Sequence, residues 1–151
     1  MTPRSIPAVP LRLGLAGLIP FVGLAALHIS GWGGQLAWSP GFVRTGLATY
    51  GAVILSFLGG VRWGLALLPA NGRTARRDFV FSVIPSLAGW FALALPTPLD
   101  LLTLGLLILG LGHLDQDLPA RGMAPAWFGT LRMILSAVAG TALLAAGLLR
   151  G

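Results

Sequence analysis

Apolar residues dominate this chain in five long runs that are separated by short polar stretches. The runs cover residues 11–28, 46–68, 79–95, 99–114 and 126–149. At about 1.5 Å of rise per residue, the run at 46–68 would span roughly 34 Å as a helix, enough to cross a hydrocarbon core of about 30 Å. The pattern predicts an all-α integral membrane bundle of five transmembrane helices, forming one domain over residues 1–151.

Several of the polar stretches contain residues that begin helices. Ser39-Pro40 is typical of a helix N-terminus, with a serine cap followed by proline in the first turn. Thr97-Pro98 has the same character before the fourth run, and Asp78 is positioned to cap the third. These signals predict three helix starts.

The first run also has features of a signal peptide. Gly23-Leu24-Ala25 resembles a cleavage site. The run is longer than most signal-peptide apolar regions, and Pro20 inside it is typical of a kinked helix that is retained. We therefore expect a transmembrane helix here, with cleavage as the alternative.

The second run carries small side chains at every fourth position, from Ala48 and Ala52 through Ser56 to Gly60 and Gly64. Small residues let helix backbones approach closely in a membrane, and Gly-x-x-x-Gly is a typical spacing for such contacts. We predict that this helix is central and that Ser56, Gly60 and Gly64 pack against a neighbour. Since the chain has 22 glycines, a chance match is the alternative.

Charged residues inside the runs predict a polar cluster near one membrane face. Arg62 lies shortly before the end of the second run and Arg132 shortly after the start of the fifth, so both are expected at similar depth. His113 and Asp115 lie at the end of the fourth run, on the same side. Because a bidentate arginine–aspartate pair reduces the cost of burying either group, we predict that Asp115 pairs with Arg62, Arg132 or both.

Two roles are open for this cluster. It is either a structural link between helices or a binding or proton-relay site in which His113 titrates. The alternative to any pairing is that each arginine extends its side chain to water.

Composition and charge support a membrane location. The chain is 56% hydrophobic and 9% charged, whereas ordinary soluble domains are about 25% charged. Its net charge of +6 comes from arginines near the ends of the apolar runs, which fits membrane topology better than nucleic-acid binding. Since positive charge collects on the cytoplasmic side, we predict a cytoplasmic N-terminus and an outside C-terminus. The arginines assigned inside are Arg4, Arg12, Arg73, Arg76, Arg77 and Arg121, and those assigned outside are Arg44 and Arg150.

The residues offer little for catalysis or metal binding. There is no cysteine, and His28 and His113 fall at opposite membrane faces. The four acidic residues lack ligand spacing, so we expect no metal and no cofactor. No serine–histidine set, phosphate loop or dinucleotide fingerprint is present. We expect no catalytic residue.

The stretch from Tyr50 to Gly64, YGAVILSFLGGVRWG, resembles the central motif of an uncharacterised multi-pass membrane family, domain of unknown function 3429, which includes transmembrane protein 69. The resemblance implies an integral protein of the bacterial inner membrane or of a eukaryotic mitochondrial membrane, and it carries over no catalytic residue. The arginine-only basic composition favours a bacterial source. The matching positions are Tyr50, Phe57, Gly59, Gly60, Trp63, Gly64, Ser82, Pro85, Trp90, Trp127 and Arg132.

Three functions follow as hypotheses. The first is a non-enzymatic accessory, scaffold or assembly component of a membrane complex, which would contact lipids and other subunits or a second copy of itself. The second is a transporter or channel for a small solute or proton that uses Arg62, His113, Asp115 and Arg132. The third is a lipid- or quinone-binding enzyme.

Overall fold

The residues that the structure describes form a bundle of five long helices. The computed structural model describes residues 5–68 and 72–150. For residues 72–75 it describes the backbone only. The predicted all-α class is confirmed, and the described residues form no strand. Two short 3₁₀ turns, Trp32–Leu36 and Asp115–Asp117, supplement the long helices. The long helices are α1 (Ala8–Ser30), α2 (Pro40–Ala66), α3 (Gly72–Ala92), α4 (Leu99–Leu114) and α5 (Ala126–Arg150).

Helix α2 begins earlier than the apolar run that predicted it, at Pro40 rather than at residue 46. Ser39 caps it, since its Oγ accepts a hydrogen bond from the backbone N–H of Phe42 at 3.1 Å. The predicted Ser39-Pro40 helix start is confirmed. Hydrophobicity alone placed the start late because Arg44 and Thr45 interrupt the apolar pattern directly before residue 46.

Two other helix starts were predicted incorrectly. Helix α3 begins at Gly72, so Arg76 and Arg77 lie in its first turns and Asp78 lies inside the helix instead of capping it. Before α4 the N-cap position is taken by Pro98, and no side chain caps that end. Residues 69–71, and Arg4 near the start of the chain, lie outside the described residues.

The helices run up and down, and α2 is the central one. Within the described chain it contacts all four other helices, while α1 packs on α2 and α5, and α4 packs on α5, α2 and α3. The core between them is aliphatic, with Leu47, Leu101, Leu104 and Leu143 all fully buried. The prediction of a central second helix is confirmed.

The outer surface is apolar. Leu13, Ile19 and Phe57 are 69%, 70% and 63% exposed, as expected for side chains that contact lipid rather than water. By length and composition, α1, α2, α5 and the segment Leu99–Asp117 are each able to cross a membrane. Helix α3 completes the bundle but carries charge in its first turns.

The small-residue repeat of α2 changes face along the helix. Ala48 and Ala52 are buried, but no described atom lies within 4 Å of the Cβ position at Gly60 or Gly64. Ser56 is exposed and bonds to Ser86 of α3 at 2.9 Å. The predicted packing of Gly60 and Gly64 against a helix of this chain is therefore wrong. A four-residue repeat drifts by about 40° per step, which carries the repeat from the core to the surface.

Other glycines make the close helix contacts. A Cβ at Gly59 would collide with the backbone carbonyl of Ser82, so α2 and α3 meet there. Between α4 and α5, a Cβ on Gly105 would lie 3.0 Å from the carbonyl oxygen of Gly140, and the reverse contact is also 3.0 Å. Close approach at these positions lets the helices fill the bundle without large side chains between them.

Candidate functional site

Asp115 lies between two arginines at one end of the bundle. Its Oδ1 accepts a hydrogen bond from Nε of Arg62 at 2.7 Å, and its Oδ2 accepts one from Nε of Arg132, also at 2.7 Å. The predicted pairing is therefore present, in the form that uses both arginines. The alternative, in which each arginine extends to water, does not fit side chains that are only 7% and 8% exposed.

The three residues come from three helices, and we call them the triad. Arg62 lies one turn before the end of α2, Asp115 directly follows α4, and Arg132 lies in the second turn of α5. Arg62 also lies over the ring of Phe81 in α3, with its guanidinium carbon 5.1 Å from the ring centroid. The triad therefore links α2, α4 and α5 and contacts α3.

The triad is buried and carries excess charge. Counted over the whole residue rather than the side chain, Asp115 is 2% exposed, Arg62 6% and Arg132 7%. Two guanidinium groups beside one carboxylate leave one positive charge in excess. Nη2 of Arg132 is buried and has no hydrogen-bond partner among the described residues.

His113 does not belong to the cluster. It lies exposed on α4, two residues before Asp115. Two residues correspond to about 200° of rotation around a helix, so the two side chains leave α4 on opposite sides. The predicted four-residue cluster of Arg62, His113, Asp115 and Arg132 is therefore wrong in this one member.

Asp100 and Asp78 also pair with arginines, which the sequence did not reveal. Asp100 at the start of α4 accepts a hydrogen bond from Arg44 of α2 at 2.5 Å. Asp78 of α3 pairs with Arg121 in the loop before α5, and this hydrogen bond raises the pKa of Arg121, so its charge is retained. Each pair joins residues that are distant along the chain, so spacing alone gave no signal.

A further link closes the end of the bundle opposite the triad. His28 of α1 is 7% exposed, and its Nε2 lies 3.1 Å from the carbonyl oxygen of Arg150. The Arg150 guanidinium in turn donates to the carbonyl of His28 at 2.8 Å. His28 thus connects α1 to the end of α5, away from the triad, as its position along the chain predicted.

An apolar groove lies between α1, α2 and α5, with a volume of about 360 Å³. It is partly open on the outer surface, and Arg132 forms part of its wall. The sequence analysis did not predict it. The available signal was the pair Gly14 and Gly17, which lie on one face of α1 and line the groove: Leu135 of α5 fills the space beside Gly14, whereas the space beside Gly17 is open up to the hydroxyl of Tyr50. Its lining includes Leu13, Gly17, Leu18, Ile54, Phe57, Trp127, Leu131, Arg132 and Ala139.

The positions of the family motif lie in different environments. Tyr50 donates a hydrogen bond to the carbonyl of Gly17 at 2.9 Å, and Ser82 and Pro85 are buried near Gly59. Trp63 packs edge-on against Phe79 of α3 with a centroid distance of 4.9 Å. Phe57 and Trp90 are exposed on the outer surface, where Phe57 and Trp127 both line the groove. The motif thus contributes to the α2–α3 contact, the triad and the groove.

No group of three or more metal-ligating side chains lies together in the part of the chain that the structure describes. The titratable groups at the triad are an aspartate and two arginines, which form a charge-assisted hydrogen-bond network. Chemically, this arrangement can hold helices together, and it leaves one Arg132 donor without an acceptor among the described residues.

Comparison with known proteins agrees with the membrane fold. A family model described as protein of unknown function (DUF3429) matches residues 6–148. Transmembrane protein 69 of Xenopus tropicalis is 41% identical over 141 residues, which cover 90% of this chain and 52% of that protein. Transmembrane protein 69 of Mus musculus is 34% identical over 137 residues, covering 88% and 53%. No solved structure matches the chain.

The chain spans about half the length of the curated relatives that it matches. The match nevertheless extends over α1 to α5, so it includes the triad, the groove and the central motif. The resemblance found in the sequence is confirmed. This chain belongs to the DUF3429 family and is a multi-pass membrane protein.

Proposed function

We propose that the protein is a non-enzymatic helical bundle that serves as an accessory, scaffold or assembly component of a larger membrane complex. The observation that carries this proposal is the position of Asp115 between two arginines from two other helices. Both carboxylate oxygens accept guanidinium hydrogen bonds, and breaking such a buried network is costly. This arrangement favours a structural role for the triad over proton transfer.

The outer face of α2 offers a contact surface for a partner helix. Gly60 and Gly64 lie one turn apart and are open among the described residues, beside the half-exposed Trp63. This is the spacing at which a second helix can approach closely in a membrane. The partner in this proposal is another membrane subunit or a second copy of the chain, and lipids cover the remaining surface.

The proposal places the protein in the bacterial inner membrane, with the N-terminus in the cytoplasm and the C-terminus outside. Its support is the excess of arginines at the bundle end that holds the triad, including Arg12, Arg76 and Arg121. The arginine-only basic composition supports a bacterial source, whereas the curated relatives come from Xenopus tropicalis and Mus musculus.

The test is purification of the tagged full-length chain from its native membrane in mild detergent, followed by native mass spectrometry. We expect a stoichiometric complex larger than one chain. The Gly60→Leu variant should no longer bind the partner, because the leucine side chain prevents close approach of a second helix to α2. Gly110→Leu is the matched control, since Gly110 of α4 also has no described atom within 4 Å of its Cβ position.

Two results would contradict the proposal. One is a wild-type chain that leaves the native membrane alone, with lipid as its only companion. The other is a complex that Gly60→Leu and Gly110→Leu weaken to the same extent, which would mean that the α2 face has no special part in assembly.

A further inference from the structure

We propose that the groove between α1, α2 and α5 binds one anionic phospholipid of the membrane, with an acyl chain along the groove and the phosphate at Arg132. This site is separate from the α2 face proposed for a protein partner. It combines an apolar groove with a buried cationic donor that has no hydrogen-bond partner in the part of the chain that the structure describes.

The groove has the shape and surface for an acyl chain. Its walls are aliphatic and aromatic, with Leu18 of α1, Ile54 of α2 and Leu131 of α5 among them. Along α5 the lining extends from Trp127 to Ala139, roughly 18 Å at 1.5 Å per residue. Its volume of about 360 Å³ falls within the range of small-molecule sites, about 300–1,000 Å³.

Arg132 supplies the charge for a head group. Its Nε is occupied by Asp115, while its buried Nη2 has no hydrogen-bond partner among the described residues. A buried guanidinium nitrogen without an acceptor is unfavourable unless a ligand provides one. Because the triad carries an excess positive charge, an anionic acceptor fits better than a neutral one, and arginine suits phosphate oxygens well.

The depth of Arg132 in the membrane suits the phosphate of a phospholipid whose acyl chain points towards the bilayer centre. It lies six residues after the start of α5, roughly 9 Å along the helix axis, and Trp127 lies nearer the helix end. Tryptophan rings are enriched at head-group level. From Arg132 the apolar lining continues towards Phe21 and Ala139 at the middle of the bundle. A lipid that enters sideways would therefore place its phosphate near Arg132 and its chain towards the bilayer centre.

The test uses the full chain in nanodiscs of phosphatidylcholine that contain phosphatidylglycerol as the probe. After extraction into detergent, native mass spectrometry counts the lipids that remain bound. We expect wild type to retain one phosphatidylglycerol per chain and to retain it in preference to phosphatidylcholine.

Gly17→Leu tests the groove without touching the triad. A Cβ at Gly17 would lie 3.9 Å from the hydroxyl of Tyr50, an ordinary contact, so the backbone tolerates a side chain at this position. Because Gly17 lines the groove, we expect the rest of the leucine side chain to occupy it. We expect phosphatidylglycerol retention to weaken by at least about tenfold. Gly23→Leu is the control on the same helix, because Gly23 lies outside the groove and has no described atom within 4 Å of its Cβ position.

Arg132→Gln tests the head-group contact and should remove the preference for phosphatidylglycerol over phosphatidylcholine. If this variant fails to fold, the Gly17→Leu and Gly23→Leu pair still decides the question. The proposal is overturned if Gly17→Leu retains phosphatidylglycerol as wild type does, or if wild type retains phosphatidylcholine equally well. A free fatty acid or a quinone found in the groove in place of phospholipid would also overturn it.

Discussion

Asp115 is stable in its buried position because two guanidinium groups replace the water that it loses on folding. The reverse also holds, since Arg62 and Arg132 share this single carboxylate. Removing one partner of a buried ion network leaves charge without compensation, which commonly costs more than the network itself contributes. The triad is therefore the place where a single change should affect the bundle most.

Asp115→Asn is predicted to destabilise the protein by about 3–5 kcal/mol, because both arginines would remain buried with no counter-charge. The measurement is the unfolding free energy in mild detergent micelles under titration with a denaturing detergent. Asp117→Asn is the control, since Asp117 is 59% exposed and lies 3.7 Å from Arg121.

For Asp117→Asn we expect a change within about 0.5 kcal/mol, as is usual for an exposed ion pair. If both aspartate variants unfolded at the same point as wild type, the triad would have no structural role and this account of it would fail.

The sequence predicted the triad because the depth of a side chain in the membrane follows from the number of residues between it and the end of its helix. Arg62, Asp115 and Arg132 all lie near helix ends that must share one membrane face. The side of the helix on which a residue lies cannot be related to the other helices in the same way, because it depends on which helices pack against it. His113 was included on depth alone, and its exposed position shows why rotation is also needed.

At the level of helices, adjacent glycines in α2 have opposite environments. Gly59 faces Ser82 of α3, whereas Gly60 faces outward, since one residue rotates the side chain by about 100°. The repeat of small residues at every fourth position led to Gly60. That prediction assumes that one neighbouring helix contacts every member of the repeat. Helix α3 instead contacts the line of Ala52 and Gly59. Glycine content predicted that close packing occurs, but not on which face.

Gly59→Ala and Gly60→Ala are predicted to differ in sign. The methyl group at Gly59 would meet a backbone carbonyl, so α2 and α3 must separate, at a cost of about 1–3 kcal/mol. The methyl group at Gly60 meets no described atom, and alanine is the better helix former, so stability should rise by zero to about 1 kcal/mol.

The measurement is again the unfolding free energy of each variant, made on the single chain in detergent. Equal destabilisation by the two substitutions would show that α3 does not approach α2 along the Gly59 face.

At the scale of the whole molecule, ion pairs are distributed over both ends of the bundle. The triad and the Asp78–Arg121 pair lie at one end, and the Arg44–Asp100 pair and the His28–Arg150 link lie at the other. The number of long helices followed from hydrophobicity, whereas α2 and α3 begin earlier than the apolar runs that predicted them. The ion pairs between distant segments depend on how the helices pack, and so does the groove. The apolar runs alone do not determine that packing.

Membrane orientation is testable with single cysteines, because the chain carries none of its own. Leu36→Cys lies in the connection between α1 and α2, and Ala120→Cys lies in the connection between α4 and α5. With the N-terminus in the cytoplasm, a membrane-impermeant maleimide added to intact bacterial spheroplasts should label Leu36→Cys and spare Ala120→Cys. Permeabilised membranes provide the control, in which both should react, and the opposite pattern would reverse the topology.

If the triad is a structural link and not a path for protons, the protein should not conduct protons across a membrane. The most direct measurement is proton flux into liposomes that contain wild type or Asp115→Asn, compared with protein-free liposomes under the same pH gradient. We expect wild-type flux to equal that of protein-free liposomes, since both oxygens of Asp115 are held by arginines. Flux in wild type that Asp115→Asn abolishes, in a variant that still inserts and folds, would contradict the account and make the triad a transport site.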